Sequence, residues 1–170
     1  MTETSTKYDA IFVGNYTKDT IITPEGTRYA DGGGMNYAAH AASALGLKAA
    51  VVTRLAKEDE HVVNEIRAHG IDCYPVYSPS STLMTLEYKT SDVDKRSLYV
   101  KATAGTIRAA DLSGLAARAI VVSPSLRGEV EADFFETQRK RQGVLLSADV
   151  QGFVRVLRGE SLVYEPWPDM

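Results

Sequence analysis

Asp31-Gly32-Gly33-Gly34-Met35-Asn36-Tyr37-Ala38-Ala39-His40-Ala41-Ala42-Ser43-Ala44-Leu45-Gly46 is the stretch that decides how this 170-residue chain folds. Three glycines give way to an alanine-dominated run in which Ala38, Ala41, Ala42 and Leu45 fall at helical spacing, and Gly46 is placed to stop the helix. Small residues along that face let the helix lie close to a sheet. Just upstream, Tyr8-Asp9-Ala10-Ile11-Phe12-Val13 has the apolar character of a buried strand, with Gly14-Asn15 turning at its carboxyl end. Just downstream, Ala49-Ala50-Val51-Val52 supplies the next strand. Strand, glycine turn, helix and strand make a βαβ unit. Between the first strand and the turn, Thr20 to Thr23 and Thr27 to Ala30 flank Pro24-Glu25-Gly26 and read as a small hairpin.

The alternation continues outward. A charged helix is expected from about Glu58 to Ala68, ended by Gly70, then a strand over Ile71 to Tyr77. Further strands are expected at Ala119 to Val122 and Val144 to Ala148, with a helix from about Val130 to Gln142 between them. This is the rhythm of an α/β fold, an open and mainly parallel sheet flanked by helices. One segment departs from it: Thr82 to Lys89 and Arg96 to Lys101 are extended runs joined by polar residues, an antiparallel hairpin projecting from the main sheet. With no repeat, low-complexity tract or linker, residues 1–170 read as one continuous folded unit.

Composition narrows the classes of function. The chain is 44% hydrophobic and 24% charged, which suits a soluble domain that buries its own core. A net charge of -3 gives no electrostatic footing for nucleic acid or an acidic membrane surface. No apolar run approaches the roughly 20 residues that span a bilayer, and the N-terminal segment is too polar for a signal peptide, so a cytoplasmic location is expected. The single cysteine, Cys73, reads as a buried strand position.

Consecutive glycines before a helix let backbone amides approach a bound hydroxyl or anion, and Asn36 in the first helical turn adds donors and an acceptor. The turn is neither G-x-G-x-x-G nor the G-x-x-x-x-G-K-[ST] phosphate loop; neither motif occurs in the chain. Asp19 follows the carboxyl end of the first strand, the edge at which open α/β sheets bind ligands. The histidines His40, His61 and His69 have no partners at metal-ligand spacing, and Glu58-Asp59-Glu60 reads as an acidic helix start complementing the helix dipole. No metal site is expected.

Taken together, Val13-Gly14-Asn15 with Asp19, the Gly32-Gly33-Gly34-Met35-Asn36 turn, Ala44-Leu45-Gly46, Val51-Val52-Thr53-Arg54-Leu55 with Asp59, and His69-Gly70-Ile71-Asp72 resemble the opening of PfkB/ribokinase carbohydrate kinases. The hairpin carrying Thr82 and Arg96, leading into Ala104-Gly105, looks like that family's lid. The resemblance implies a ribokinase-like sheet with a small β lid at about residues 20–30 and 82–101, and a sugar or nucleoside bound between them. By the same analogy Asp19 binds substrate hydroxyls, Gly32 and Gly33 permit close approach, Asn36 adds a polar contact, Arg96 reaches in from the lid, and Asp149, at a strand's carboxyl end, is a further substrate-binding candidate. The chain departs from the family pattern where Asp31 stands in place of the first glycine. It departs again in Asp149-Val150-Gln151-Gly152-Phe153-Val154-Arg155, where the arginine is displaced.

The family's D-T-x-G-A-G-D segment, which carries its catalytic aspartate, is absent. The resemblance therefore implies ATP and Mg2+ for a full-length member, and for this chain an N-terminal part without catalytic residues, inactive alone and binding neither. The rival expectation is a non-catalytic module that binds a ligand or pairs with another subunit, a homodimer forming through the lid strands.

Overall fold

The computed structural model describes residues 7–167. Residues 1–6, which include most of the segment whose polarity argued against a signal peptide, and residues 168–170 lie outside the described residues. In chain order the elements are β1 (Tyr8–Val13), β2 (Thr17–Thr23), β3 (Gly26–Gly32), α1 (Gly34–Ala44), β4 (Ala49–Ala56), α2 (Glu60–Ala68), β5 (Asp72–Ser78), β6 (Thr82–Tyr88), β7 (Arg96–Ala102), β8 (Ala117–Val122), α3 (Phe134–Gln138), β9 (Leu145–Ala148), α4 (Gln151–Val154), β10 (Arg155–Arg158) and β11 (Ser161–Tyr164).

Five strands form an all-parallel sheet in the order β5-β4-β1-β8-β9. β1 lies at its centre, with Phe12 between Val51 of β4 and Val121 of β8. Both faces of β1 are covered, which is why its sequence is an apolar run and not an alternation. Ala10 and Phe12 pack with Met35, Ala39 and Ala42 of α1 and with Val62, Val63 and Ile66 of α2. Ile11 and Val13 face the other way, onto Ile107, Leu112, Ile120 and Phe134. The alanines of α1 let that helix sit directly on the sheet. Cys73 is buried on β5, and burial pushes its thiol up to about 11, so it stays protonated.

The remaining strands form a second sheet, β10-β11-β7-β6-β2-β3. The hairpins expected from sequence are β2–β3 and β6–β7, both antiparallel, and they are joined by a parallel pairing of β2 with β6. Leu98, Val100, Met84 and Leu162 make this sheet's own apolar cluster, with Leu126 from the main sheet's exit loops.

Three expectations need correction. The helix expected over Val130 to Gln142 is only α3, five residues long. Its first part is extended because Ile107 donates to Glu129 O (2.8 Å) and Glu131 donates to Ile107 O (3.0 Å), a long-range bridge that local helix propensity cannot outbid. The charged helix begins at Glu60, one turn of 3-10 helix (Lys57–Asp59) preceding it. Finally, β10 and β11 were not foreseen: two four-residue runs about Gly159, whose positive φ of 63° makes the turn, add a hairpin to the second sheet.

Candidate functional site

At the carboxyl edge of the main sheet, each of the three consecutive glycines of the turn before α1 is crowded by a different part of the chain. A Cβ on Gly32 would stand 2.2 Å from the Asp19 carboxylate and 2.4 Å from the Thr17 hydroxyl, both on the partner strand β2. One on Gly33 would stand 2.7 Å from the main-chain oxygen of Asn15, at the exit of β1, and Gly33 has φ 102°, a backbone that disfavours any side chain. One on Gly34 would meet Ser123, at the exit of β8, at 3.1 Å, with the Gln151 side-chain amide 3.9 Å away. The turn is therefore threaded through the point where β1 and β8 end and β2 begins.

Around this point lie polar atoms with nothing to bond. Among the described residues, four buried side-chain oxygens or nitrogens have no hydrogen-bond partner, and three of them are Asn15 Oδ1, Asp19 Oδ1 and Asn36 Oδ1. Unsatisfied buried groups are costly, so a cluster of them at a sheet's carboxyl edge is the mark of a place where a ligand's hydroxyls complete the bonding. Burial pushes Asp19 up to about 6; the Thr17 hydroxyl opposes this and the charge of Asp31 adds to it. Asn36 is tied to the turn by its own amide, which donates to Gly33 O at 3.0 Å.

The rim is fixed by ion pairs and tyrosines. Tyr16 donates to Asp31 Oδ1 (2.5 Å), and His61 Nε2 lies 3.6 Å from the same atom. Asp59 stands at the start of α2, as the sequence reading has it, and is also a buried partner: Lys18 Nζ donates to its Oδ1 (2.8 Å) and Ser81 to its Oδ2 (2.5 Å). Burial pushes Asp59 up, but the bonds from Lys18 and Ser81 overcome that and hold it below the ordinary carboxylate range. Lys18→Met is expected to cost about 2 kcal/mol in chemical denaturation, because it strands a buried carboxylate. A depressed pKa gives stability that is present above the unfolded value and lost as pH falls, so that cost should shrink in acid.

Glu129 is fully enclosed and accepts three main-chain amides: Asn15 on Oε1 (2.6 Å), and Ser125 (2.6 Å) and Leu126 (3.2 Å) on Oε2. Asn15 in turn donates its side-chain amide to Gly105 O at 2.7 Å. Arg54, at the end of β4, donates Nε to Ala104 O at 2.9 Å beside it.

Of the residues the sequence singled out, Asp19, Gly32, Gly33 and Asn36 come together here. Arg96 does not. It begins β7 opposite Tyr88, to whose hydroxyl it donates at 2.9 Å, whereas Asp19 is level with Met84 and Val100, four residues or about 13 Å further along the strand. Asp149 is exposed after β9, and its carboxylate accepts from Gln151 N (3.0 Å); the side chain that reaches the turn is Gln151. The displaced Arg155 is buried on β10, with Nε 3.4 Å from the Tyr164 hydroxyl. Asn15, Ser123, Gln151 and Glu129 escaped the sequence reading, although Gly14-Asn15 and the Asp149–Arg155 loop were both in view. His40 and His69 do meet, their rings 4.8 Å apart, against the expectation that they lack partners, but each Nδ1 is bonded to a main-chain carbonyl of its own helix. Among the described residues no three His, Cys, Asp or Glu side chains are grouped to hold a metal ion.

An open parallel sheet with helices on both faces, a glycine-lined polar cleft at its carboxyl edge and a second, six-stranded β sheet define a ribokinase-like α/β protein. No protein-family model and no curated protein matches the chain. Solved structures do. A pyrophosphate-dependent kinase in the ribokinase family, in a sulfate complex, superposes with a TM-score of 0.85 at 32% identity over 94% of this chain and 56% of its own. A pyrophosphate-dependent kinase of that family complexed with a pyrophosphate analogue and myo-inositol gives 0.85 at 30%, over 94% and 55%. At 16% identity and a TM-score of 0.66, a Vibrio cholerae fructokinase bound to fructose, ADP and potassium shares the fold over 86% of this chain and 52% of its own. The PfkB/ribokinase likeness read from the sequence is thus borne out, and the chain has the ribokinase-family fold; it spans about half the length of the solved structures it matches.

Proposed function

We propose that this chain is the acceptor-binding part of a kinase that phosphorylates a hydroxyl of a sugar or cyclitol. The observation that carries the reading is the set of buried, unpartnered oxygens of Asn15, Asp19 and Asn36 gathered at the Gly32–Gly34 turn. A carboxylate can accept hydrogen bonds from two vicinal hydroxyls, and the amide side chains offer further contacts to the same polyol. The crowding that excludes a Cβ at Gly32 and Gly33, and leaves little room for one at Gly34, brings main chain, not side chains, against the ligand. Asp19, Asn36 and Gln151 would bind and orient the acceptor so that one hydroxyl faces outward for transfer.

The neighbour complexed with myo-inositol supports this acceptor class. A nucleoside is the other substrate class implied by the sequence. For the donor of the complete protein, pyrophosphate is favoured over the ATP expected from sequence, because the neighbours at 30–32% identity are pyrophosphate-dependent. No donor or Mg2+ site is assigned to the described residues: no three His, Cys, Asp or Glu side chains among them are grouped around one point, and the G-x-x-x-x-G-K-[ST] phosphate loop does not occur in the chain. The role assigned to these residues is binding, and the chain by itself is expected not to transfer phosphate.

A cytoplasmic site of action is proposed from the sequence reading; among the described residues no helix is long and apolar enough to cross a membrane. β3 is an outermost strand of the second sheet and carries Tyr29 almost wholly in solvent, so a second copy is proposed to pair there. Titration calorimetry of the purified chain with myo-inositol, fructose and adenosine tests the main reading. Saturable binding of a polyol with a matching rise in Tm is expected. No binding by any of the three, from a chain that unfolds cooperatively, would rule the reading out. Light scattering on the same samples tests the pairing, a monomer at all concentrations being the contrary result.

A further inference from the structure

We propose that Glu129 is the positioning residue of this site, its carboxylate clamping the exit of β1 to the exit of β8 and thereby setting where the acceptor's floor lies; the inference rests on the acceptor reading above. β1 and β8 are adjacent parallel strands, and past Ser123 N, which donates to Val13 O at 2.7 Å, no backbone bond among the described residues holds the two exit loops in register. Glu129 does so with one side chain, taking Asn15 N on one oxygen and Ser125 N and Leu126 N on the other. Asn15 is also the residue whose main-chain oxygen abuts Gly33. A shift of the clamp is therefore passed to the glycine turn through a close backbone contact, with no flexible side chain between.

Hydrogen bonds to a charged carboxylate are roughly twice as strong as those to a neutral one, so the clamp is tightest when Glu129 is ionised. Burial works against ionisation and pushes the group up to about 7, even with three amides opposing the shift. No neighbouring cation offsets this among the described residues. Glu129 and Asn15 line a cavity of about 240 Å³ in which the one other charged side chain is Arg127. Its guanidinium is taken up by the carbonyls of Phe153, Glu165 and Pro166 at 2.7–3.1 Å. Nearby, Glu131 accepts from Ala109 N, and Arg54 is bonded to Ala104 O. Asp19, on β2, is the other group of the site that titrates near neutrality. Glu129 is enclosed behind Asn15, so it acts on a ligand through that residue.

Two measurements on the whole chain test this. In amide NMR between pH 5 and 8.5, the Asn15, Ser125 and Leu126 resonances are expected to titrate with one common midpoint, and Gly33 and Gly34 to follow it. Calorimetry with myo-inositol should then show affinity rising through the same midpoint, on top of the Asp19 titration. Glu129→Gln is expected to remove that part of the pH profile and weaken binding about tenfold. Resonances of the glycine turn that stay flat while Asn15 titrates would overturn the proposal, as would a Glu129→Gln pH profile identical to the parent's. If none of myo-inositol, fructose and adenosine binds at any pH, the acceptor reading fails, and the coupling of Gly33 to Glu129 is still decided by the resonances alone. A Glu129→Gln chain that does not fold leaves the parent's titration as the deciding result.

Discussion

Gly33→Ala is expected to lower the stability of the chain by roughly 3 kcal/mol and to abolish polyol binding. Two costs add. At φ 102° and ψ 126° an alanine is held in backbone space that L-residues rarely occupy, a strain of about 1–3 kcal/mol. Its Cβ would also stand 2.7 Å from a main-chain oxygen, which cannot rotate aside as a side chain would. Gly46→Ala separates the two: φ there is 81°, with nothing within 4 Å of the added carbon, so strain alone remains and about 1 kcal/mol is expected. Urea denaturation of both variants gives the comparison, and equal losses would mean that the contact with Asn15 contributes nothing.

The second large effect is on binding and leaves the fold intact. Asp19→Asn is expected to weaken polyol affinity about a hundredfold, the loss of two charge-assisted hydrogen bonds, while stability at pH 7 is unchanged or higher because a half-buried charge is gone. The pH dependence carries opposite signs for the two properties. The ionised carboxylate is the form that accepts hydroxyl donors, so affinity should climb as pH rises through about 6 and level off above it. The folded pKa lies above the unfolded one, so the native state holds the proton more tightly. Its contribution to stability is greatest in acid and declines as pH rises from about 3.8 to about 6. Calorimetry and denaturation from pH 4.5 to 8 test both slopes, and Asp19→Asn should flatten this component of each. Affinity that stays constant across that range in the parent would remove Asp19 from the acceptor site.

What the sequence disclosed was whatever local chemistry decides. The glycine turn, the alanine face of α1, the apolar run of β1 and the Pro24-Glu25-Gly26 hairpin each depend on neighbours a few residues away, and each was found where expected. The segment at Val130 is extended because its partner, Ile107, lies 23 positions back, and no helical spacing reveals that pairing. β10 and β11 are four residues each, too short for alternation to speak, and they hold their place through one register position against Tyr99 of β7. The site divides in the same way. Asp19, Gly32, Gly33 and Asn36 belong to a motif contiguous enough to be read, whereas Ser123, Gln151 and Glu129 acquire their roles from strand ends that converge only in three dimensions. Arg96 misled because a hairpin's membership in the sheet says nothing of which end faces the cleft.

The parallel pairing of β2 with β6 also governs the order in which this molecule can be put together. β1, α1, β4, α2 and β5 are complete once residue 78 has been made, and they need nothing later to bury one face of the main sheet. Asp19, by contrast, is level with Met84, and the second sheet gains its last strand only at Tyr164. Closing such a loop costs entropy before any contact repays it. On a ribosome, then, the carboxylate at the centre of the cleft lies on an open strand edge until β6 follows, and with Ser123 and Gln151 made later still the cleft is among the last parts of the chain to take shape.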